Sequence, residues 1–342
     1  MFIVLNNHVT SSIWKKIFPS TTHLISVAIN IFTTIVSTIM NFYHQEKLMM
    51  CIKKLGTVND TLEQLGTPKA YRKMHIYSKR VLIGWILCSF IANFYDSLWL
   101  IITEGKIIWA LCEPYLLNHC LNINAFIDFV FIFFLWYIGT RFDKVNEHMR
   151  YLLVNEKYVL KNKWKKSVIA PHRYVICDNN YKRKLWTLMH LHLELCHIAR
   201  ELNLIFGIQM TLEMASLITN ITVMCFGVNI LLMRENISLY EWFGISYWIL
   251  IFIVRFYVIN YICECVKIKA KKIEKIFHQL TNIIRYADIW KEIHQFILQA
   301  IQQPLKFTGM DFFYFGNDFL RKLCTTILMY VIIMIQMKVP LF

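Results

Sequence analysis

The chain has 342 residues, of which 57% are hydrophobic, 15% aromatic and only 17% charged, with a formal net charge of +15. A soluble domain carries about 45–50% apolar and about 25% charged residues, so this balance excludes a soluble globular enzyme and places much of the surface in lipid. With 10 glycines and 6 prolines, a turn-rich or disordered chain is excluded as well.

A membrane-crossing helix needs about 20 apolar residues, because each residue rises 1.5 Å and the hydrocarbon layer is about 30 Å thick. Six stretches satisfy this in chain order. They are 24–43, which carries no charge; 81–103, interrupted by Asp96; 121–140, by Asp128; 202–233, by Glu213; 242–263, by Arg255; and 319–337, which starts with Arg321 and Lys322. The predicted fold class is therefore all-α, a polytopic transmembrane helix bundle.

The connecting segments alternate in charge. Lys and Arg number 8 in the first loop, 1 in the second, 13 in the third, 1 in the fourth and 8 in the fifth. Basic loops collect on the cytoplasmic side, so both termini are expected outside. The basic loops also carry apolar stripes at helical spacing: Leu188, Leu195, Ile198 and Leu202; Ile273, Ile276, Phe277, Leu280, Ile283 and Ile284; Ile293, Phe296, Ile297, Ala300 and Ile301. These predict long cytoplasmic helical extensions of the spans. The domain plan is an extracellular segment 1–23, a ligand-binding bundle 24–263, a cytoplasmic assembly region 264–318, and a last helix with a short tail, 319–342.

Asn236 begins an Asn-Ile-Ser sequon in a loop expected outside, a candidate for glycosylation. Cys112 and Cys120 share another such loop, where a disulfide and two free thiols are equally compatible with the spacing. No nucleotide-binding, hydrolase or metalloprotease motif occurs. His190, Glu194 and His197 share a helix face, but a solvated polar face explains them better than a metal site. No cofactor, metal or nucleic acid is expected.

Charges inside spans are costly and need reasons. Glu213 and Arg255 have opposite signs at depths of about 16 and 12 Å from the cytoplasmic face by helix rise, which suggests a structural ion pair. Asp96 and Asp128 each lie about 10 Å from the outer end of their spans. With Asn93, Tyr95, Trp99 and Asn124 they form a candidate pocket for a small polar or cationic ligand. The same residues equally suit hydrogen bonding between helices without a ligand. In the last span Met329, Ile332, Ile333 and Gln336 share a face that should meet protein or water, as the lining of a pore would.

The run Met329-Tyr330-Val331-Ile332-Ile333-Met334-Ile335-Gln336-Met337 resembles the C-terminal signature of the insect gustatory receptor family: Thr-Tyr, five hydrophobic residues, then Gln-Phe. Tyr330 and Gln336 match at the right spacing, while Met329 stands for the Thr and Met337 for the Phe. Upstream, Phe296, Pro304, Phe307-Thr308 and Phe312-Phe313 look like the stretch before the family's last helix, and 48–65 is similar in pattern. The resemblance implies a taste receptor: a cation channel gated by a small-molecule tastant, in the plasma membrane of chemosensory neurons. It implies a homo- or hetero-tetramer with other gustatory receptor subunits, with Met329, Ile332, Ile333, Gln336 and Met337 around the pore. The family has seven spans, and the six here match its second to seventh, so a first helix is lacking from this pattern. An odorant receptor, or another multi-pass chemosensory receptor of the G-protein-coupled type, is the alternative. A secondary transporter fits less well, because no proline interrupts a span.

Overall fold

The structure, a computed structural model, describes residues 20–68, 71–104, 107–165, 172–232, 239–281 and 287–336. Residues 1–19, the sequon at Asn236, Ile283, Ile284 and Met337 lie outside the described residues. Eight helices and one hairpin occur among the described residues. They are α1 (Ser20–Gln64), α2 (Tyr71–Glu104), α3 (Ile107–Leu117), α4 (His119–Lys165), α5 (His172–Leu232), α6 (Leu239–Thr281), α7 (Ala287–Gln302), β1 (Thr308–Gly309), β2 (Phe313–Tyr314) and α8 (Asn317–Gln336).

Five stretches are long and apolar enough to cross a membrane: Leu24–Gln64, His75–Ile102, Ile107–Leu152, Asn180–Asn229 and Leu239–Gln279. The sixth predicted span is α8, whose 20 residues reach about 30 Å. Much of this apolar surface is open, with Phe42 77%, Leu204 75% and Ile102 72% exposed. In water an open apolar surface of this extent would aggregate; in lipid it is solvated, and the backbone polar groups are satisfied inside the helices.

Four helices run well past their predicted spans. α1 continues to Gln64, α4 to Lys165 and α6 to Thr281, and α5 begins at His172. Their extensions gather with α7 at the end of the bundle that carries the basic loops. The apolar stripes read from the sequence meet there, since Leu188, Leu195, Ile198, Ile273, Phe277 and Ile293 are all 1% exposed or less. The α7 stripe ends early: Ala300 is half-buried and Ile301 is exposed.

Polar ties lock this region. Asn59 Nδ2 and Arg141 Nη2 both donate to the Tyr137 hydroxyl, at 2.5 and 3.1 Å, joining α1 to α4. Lys54 Nζ pairs with Glu201 at 3.0 Å, joining α1 to α5.

Two segments differ from the sequence expectation. The second loop, 104–120, is largely helix α3, too short to cross a bilayer but apolar and packed beside α2. Its Cys112 and the Cys120 of α4 are both free thiols. Between α7 and α8 the chain makes an antiparallel hairpin, pairing Thr308 with Tyr314 and Gly309 with Phe313. Met310 and Asp311 turn it with φ of 47° and 60°.

Candidate functional site: an aromatic cavity beside a buried ion cluster

Asp128 on α4, Glu213 on α5 and Arg255 on α6 come together inside the bundle. Arg255 Nη2 donates to Asp128 Oδ2 at 2.7 Å and to Glu213 Oε1 at 2.5 Å, and Arg255 Nε donates to the same Asp128 oxygen at 3.2 Å. The side chains of Arg255, Asp128 and Glu213 are 13%, 4% and 3% exposed. Depth along the spans pairs Glu213 with Arg255 and leaves Asp128 to the pocket, but in the structure one guanidinium serves both carboxylates. Asp128 Oδ1 has no hydrogen-bond partner among the described residues.

Asp128 and Arg255 also stand on the wall of a cavity of about 470 Å³ between α2, α4 and α6. Glu213 lies behind them and is not on the wall. Trp85 of α2, Phe129, Phe133 and Trp136 of α4, and Trp248 of α6 supply much of the lining. Ser89 and Asn122 also line it, and the Ser89 hydroxyl donates to Asn122 Oδ1 at 2.8 Å. At the basic end, Tyr77 meets Trp136 edge to face with ring centroids 6.3 Å apart. The size and mostly apolar lining with a few fixed polar groups are those of a small-molecule site.

Of the six pocket residues proposed from sequence, Asp128 is on this wall. The other five lie elsewhere in the bundle. Asn118 Nδ2 donates to Asn93 Oδ1 at 2.9 Å and to Asp96 Oδ2 at 3.1 Å. Tyr95 and Trp99 both stack on Tyr240, at 4.4 and 5.0 Å, and the Tyr95 hydroxyl donates to the Tyr240 carbonyl at 2.6 Å. These contacts clasp α2 to the start of α6. Gly244 permits the close approach, since a Cβ there would lie 3.2 Å from Tyr95 Cε1. Asn124 Oδ1 accepts from the Thr34 hydroxyl at 3.1 Å, a tie between α4 and α1.

Sequence reasoning passed over a second polar network, formed by Ser26 and Asn30 of α1 with Ser216 and Asn220 of α5. Asn30 Oδ1 accepts from the Ser216 hydroxyl at 2.6 Å and from Asn220 Nδ2 at 3.3 Å. Its signal was available: Ser26, Asn30, Thr33, Thr34 and Ser37 recur at 3–4 spacing within the uncharged span 24–43.

On α8, Phe319, Leu320, Leu323 and Ile327 pack back onto the bundle core. At about 100° per residue, the face with Met329, Ile332, Ile333 and Gln336 lies roughly opposite. Met329 is 60%, Ile332 52% and Ile333 44% exposed, and Gln336 is exposed too. Tyr330, nearer the packed side, is 56% exposed.

Membrane-length helices, long bundled extensions and an internal cavity define a multi-pass helical membrane protein. The chain belongs to the 7tm chemosensory receptor family of insects, whose sequence model matches residues 2–339. The family is one of receptors rather than enzymes. The fold is similar to that of the insect olfactory receptor OR5 from Machilis hrabei, with 14% identity and a TM-score of 0.65 over 93% of this chain and 81% of that one. It is similar as well to the same receptor solved in complex with eugenol, with 15% identity and a TM-score of 0.56 over 92% and 82% of the two chains. No curated protein matches the sequence significantly.

Proposed function

We propose that this chain is a gustatory receptor subunit that opens a cation pore when a small-molecule tastant occupies the cavity between α2, α4 and α6. The observation that carries this reading is the two-sided α8. One stripe seats it on its own bundle, and the opposite stripe, ending in the Gln336 amide, is exposed among the described residues. An amide facing hydrocarbon is unfavourable. A symmetric tetramer that turns this face to a central axis satisfies it, with Met329, Ile332 and Ile333 as an apolar constriction that gates by dewetting. Met337 continues the motif at its outer end.

In this reading the basic loops lie in the cytoplasm, the extensions and α7 make the subunit contacts, and the receptor sits in the plasma membrane of chemosensory neurons. The likeness to a receptor solved with eugenol supports a small molecule as the stimulus. It equally favours an odorant in place of a tastant as the natural ligand.

The test expresses the full-length gene in cells and records currents during a tastant panel, with the subunit number measured in detergent. A tetramer is expected, together with an evoked cation current whose ion permeability ratios change by about threefold or more (~0.6 kcal/mol of barrier) in Gln336→Ala. A monomer, or a current indifferent to that substitution, overturns the pore assignment.

A further inference from the structure

The cavity follows the helix axes. Its wall takes residues from Tyr77 to Ala92 on α2, from Leu121 to Trp136 on α4 and from Trp248 to Ile262 on α6, runs that are each about 21–23 Å long by helix rise. The hydrocarbon layer is about 30 Å thick, so one leaflet is about 15 Å. The cavity is therefore a slot along the membrane normal, deeper than one leaflet.

The slot has a side mouth. α2 is fastened to α6 toward the end away from the basic loops, where Tyr95 stacks on Tyr240 and the Tyr247 hydroxyl donates to the Cys88 carbonyl at 3.1 Å. Toward the basic end, Tyr77 and Val81 of α2 and Val254 of α6 line the cavity and are also about half exposed. All three belong to membrane-length stretches, so lipid rather than water stands outside them. Between Tyr77 and Val81 come Lys79 and Arg80, both exposed, as suits the level of anionic headgroups.

We propose that an acyl chain of a phospholipid from the leaflet at the basic end enters this mouth and fills the slot when no stimulus is bound. The wall suits hydrocarbon. Trp85, Phe129, Ile132, Phe133 and Val258 are apolar, and polar groups on the wall are tied to one another, Ser89 to Asn122 and Arg255 to Asp128. An apolar void stays dry, and left empty it forfeits the dispersion contacts of its lining. Lipid is the solvent at the mouth, and a flexible chain entering lengthwise recovers those contacts. Lys79 and Arg80 match its phosphate in charge. A stimulus then binds by displacing the chain.

Trp248 reports the filling. It lines the cavity but is only 7% exposed, so lipid that stays outside the bundle scarcely touches it. The full-length chain is reconstituted in phosphatidylcholine vesicles with ordinary chains or with chains brominated near the middle, because bromine quenches tryptophan at close range. Subtracting the emission of Trp248→Phe from that of wild type isolates Trp248. This signal should lose more than half its intensity in brominated lipid. In the background of Val81→Phe with Val254→Phe, which sets two rings at the mouth, it should keep most of it. Undiminished Trp248 emission in brominated lipid overturns the proposal. So does a loss that the closed mouth leaves unrelieved, since the bromines then act from outside. Should Trp248→Phe fail to fold, Trp85→Phe isolates Trp85 on the α2 wall, with the same outcomes. No stimulus is present, so a negative result leaves the tastant reading of the cavity untouched. A slot that holds a chain but answers no tastant fails that reading alone.

Discussion

Replacing Arg255 by methionine probes the cluster directly, because Asp128 and Glu213 both depend on that guanidinium. With side-chain exposures of 13%, 4% and 3%, water and salt screen the three groups little. Breaking a buried ion pair from one side costs about 3–5 kcal/mol, mostly from the charge left unpaired. An independent route gives a similar figure. A carboxylate with an ordinary affinity for protons costs about 4 kcal/mol to neutralise at pH 7, at about 1.4 kcal/mol per pH unit. Against a typical net stability of about 5–15 kcal/mol, Arg255→Met should remove a large share. The triple variant Arg255→Met, Asp128→Asn, Glu213→Gln carries no charge at the site and should recover at least half of the loss. The assay is unfolding of the detergent-solubilised chain by titration with a denaturing detergent, alongside retention of the folded peak after heating. A single variant within about 0.5 kcal/mol of the triple one would refute the reasoning, since no unpaired charge would then be felt.

His192 lies outside the predicted spans, 3% exposed, between Phe142 and Phe296 with ring centroids 5.2 and 5.7 Å away. Burial pushes its imidazole down to about 3. Below about pH 6.5 the unfolded chain binds a proton that the fold refuses, so stability is complete above that value and declines as pH falls, by up to about 1.4 kcal/mol per unit. His192→Leu should flatten the decline in melting temperature between about pH 7 and 5, and an unchanged slope would count against it. Gly316, just before α8, has φ of +142° and donates its N–H to Asn260 Oδ1 at 3.1 Å. A Cβ there meets the Glu264 carboxylate, so Gly316→Ala should cost about 1–3 kcal/mol, read as an earlier unfolding midpoint. A midpoint equal to wild type would show that the turn into α8 tolerates a side chain.

The spans were legible because their signal is one-dimensional: about 20 consecutive residues are apolar or they are not. The stripes Leu188, Leu195, Ile198 and Ile273, Ile276, Phe277 were legible for a similar reason, since one helix face repeats every three to four residues whatever it packs against. Asp128 shows where that logic stops. Placed about 10 Å from the outer end of its span by helix rise, it stood apart from Arg255, counted about 12 Å from the opposite end. Helix tilt and the reach of an arginine side chain close that gap, and neither is written along one helix. The aromatic lining was similarly hidden, because Trp85, Trp136 and Trp248 obey the same pattern whether they face lipid, a packed neighbour or a void.

The helical bundle in a membrane, the order of its spans, the basic loops and the motif that resembles its family are all written along the chain. These follow from transfer of apolar side chains out of water and from helical period, both local properties. Packing in three dimensions makes two carboxylates share one arginine, leaves a cavity between α2, α4 and α6, and sets five of the six expected pocket residues to tying helices together elsewhere. Those outcomes depend on which faces of separate helices meet, a choice made by packing among elements far apart in the chain.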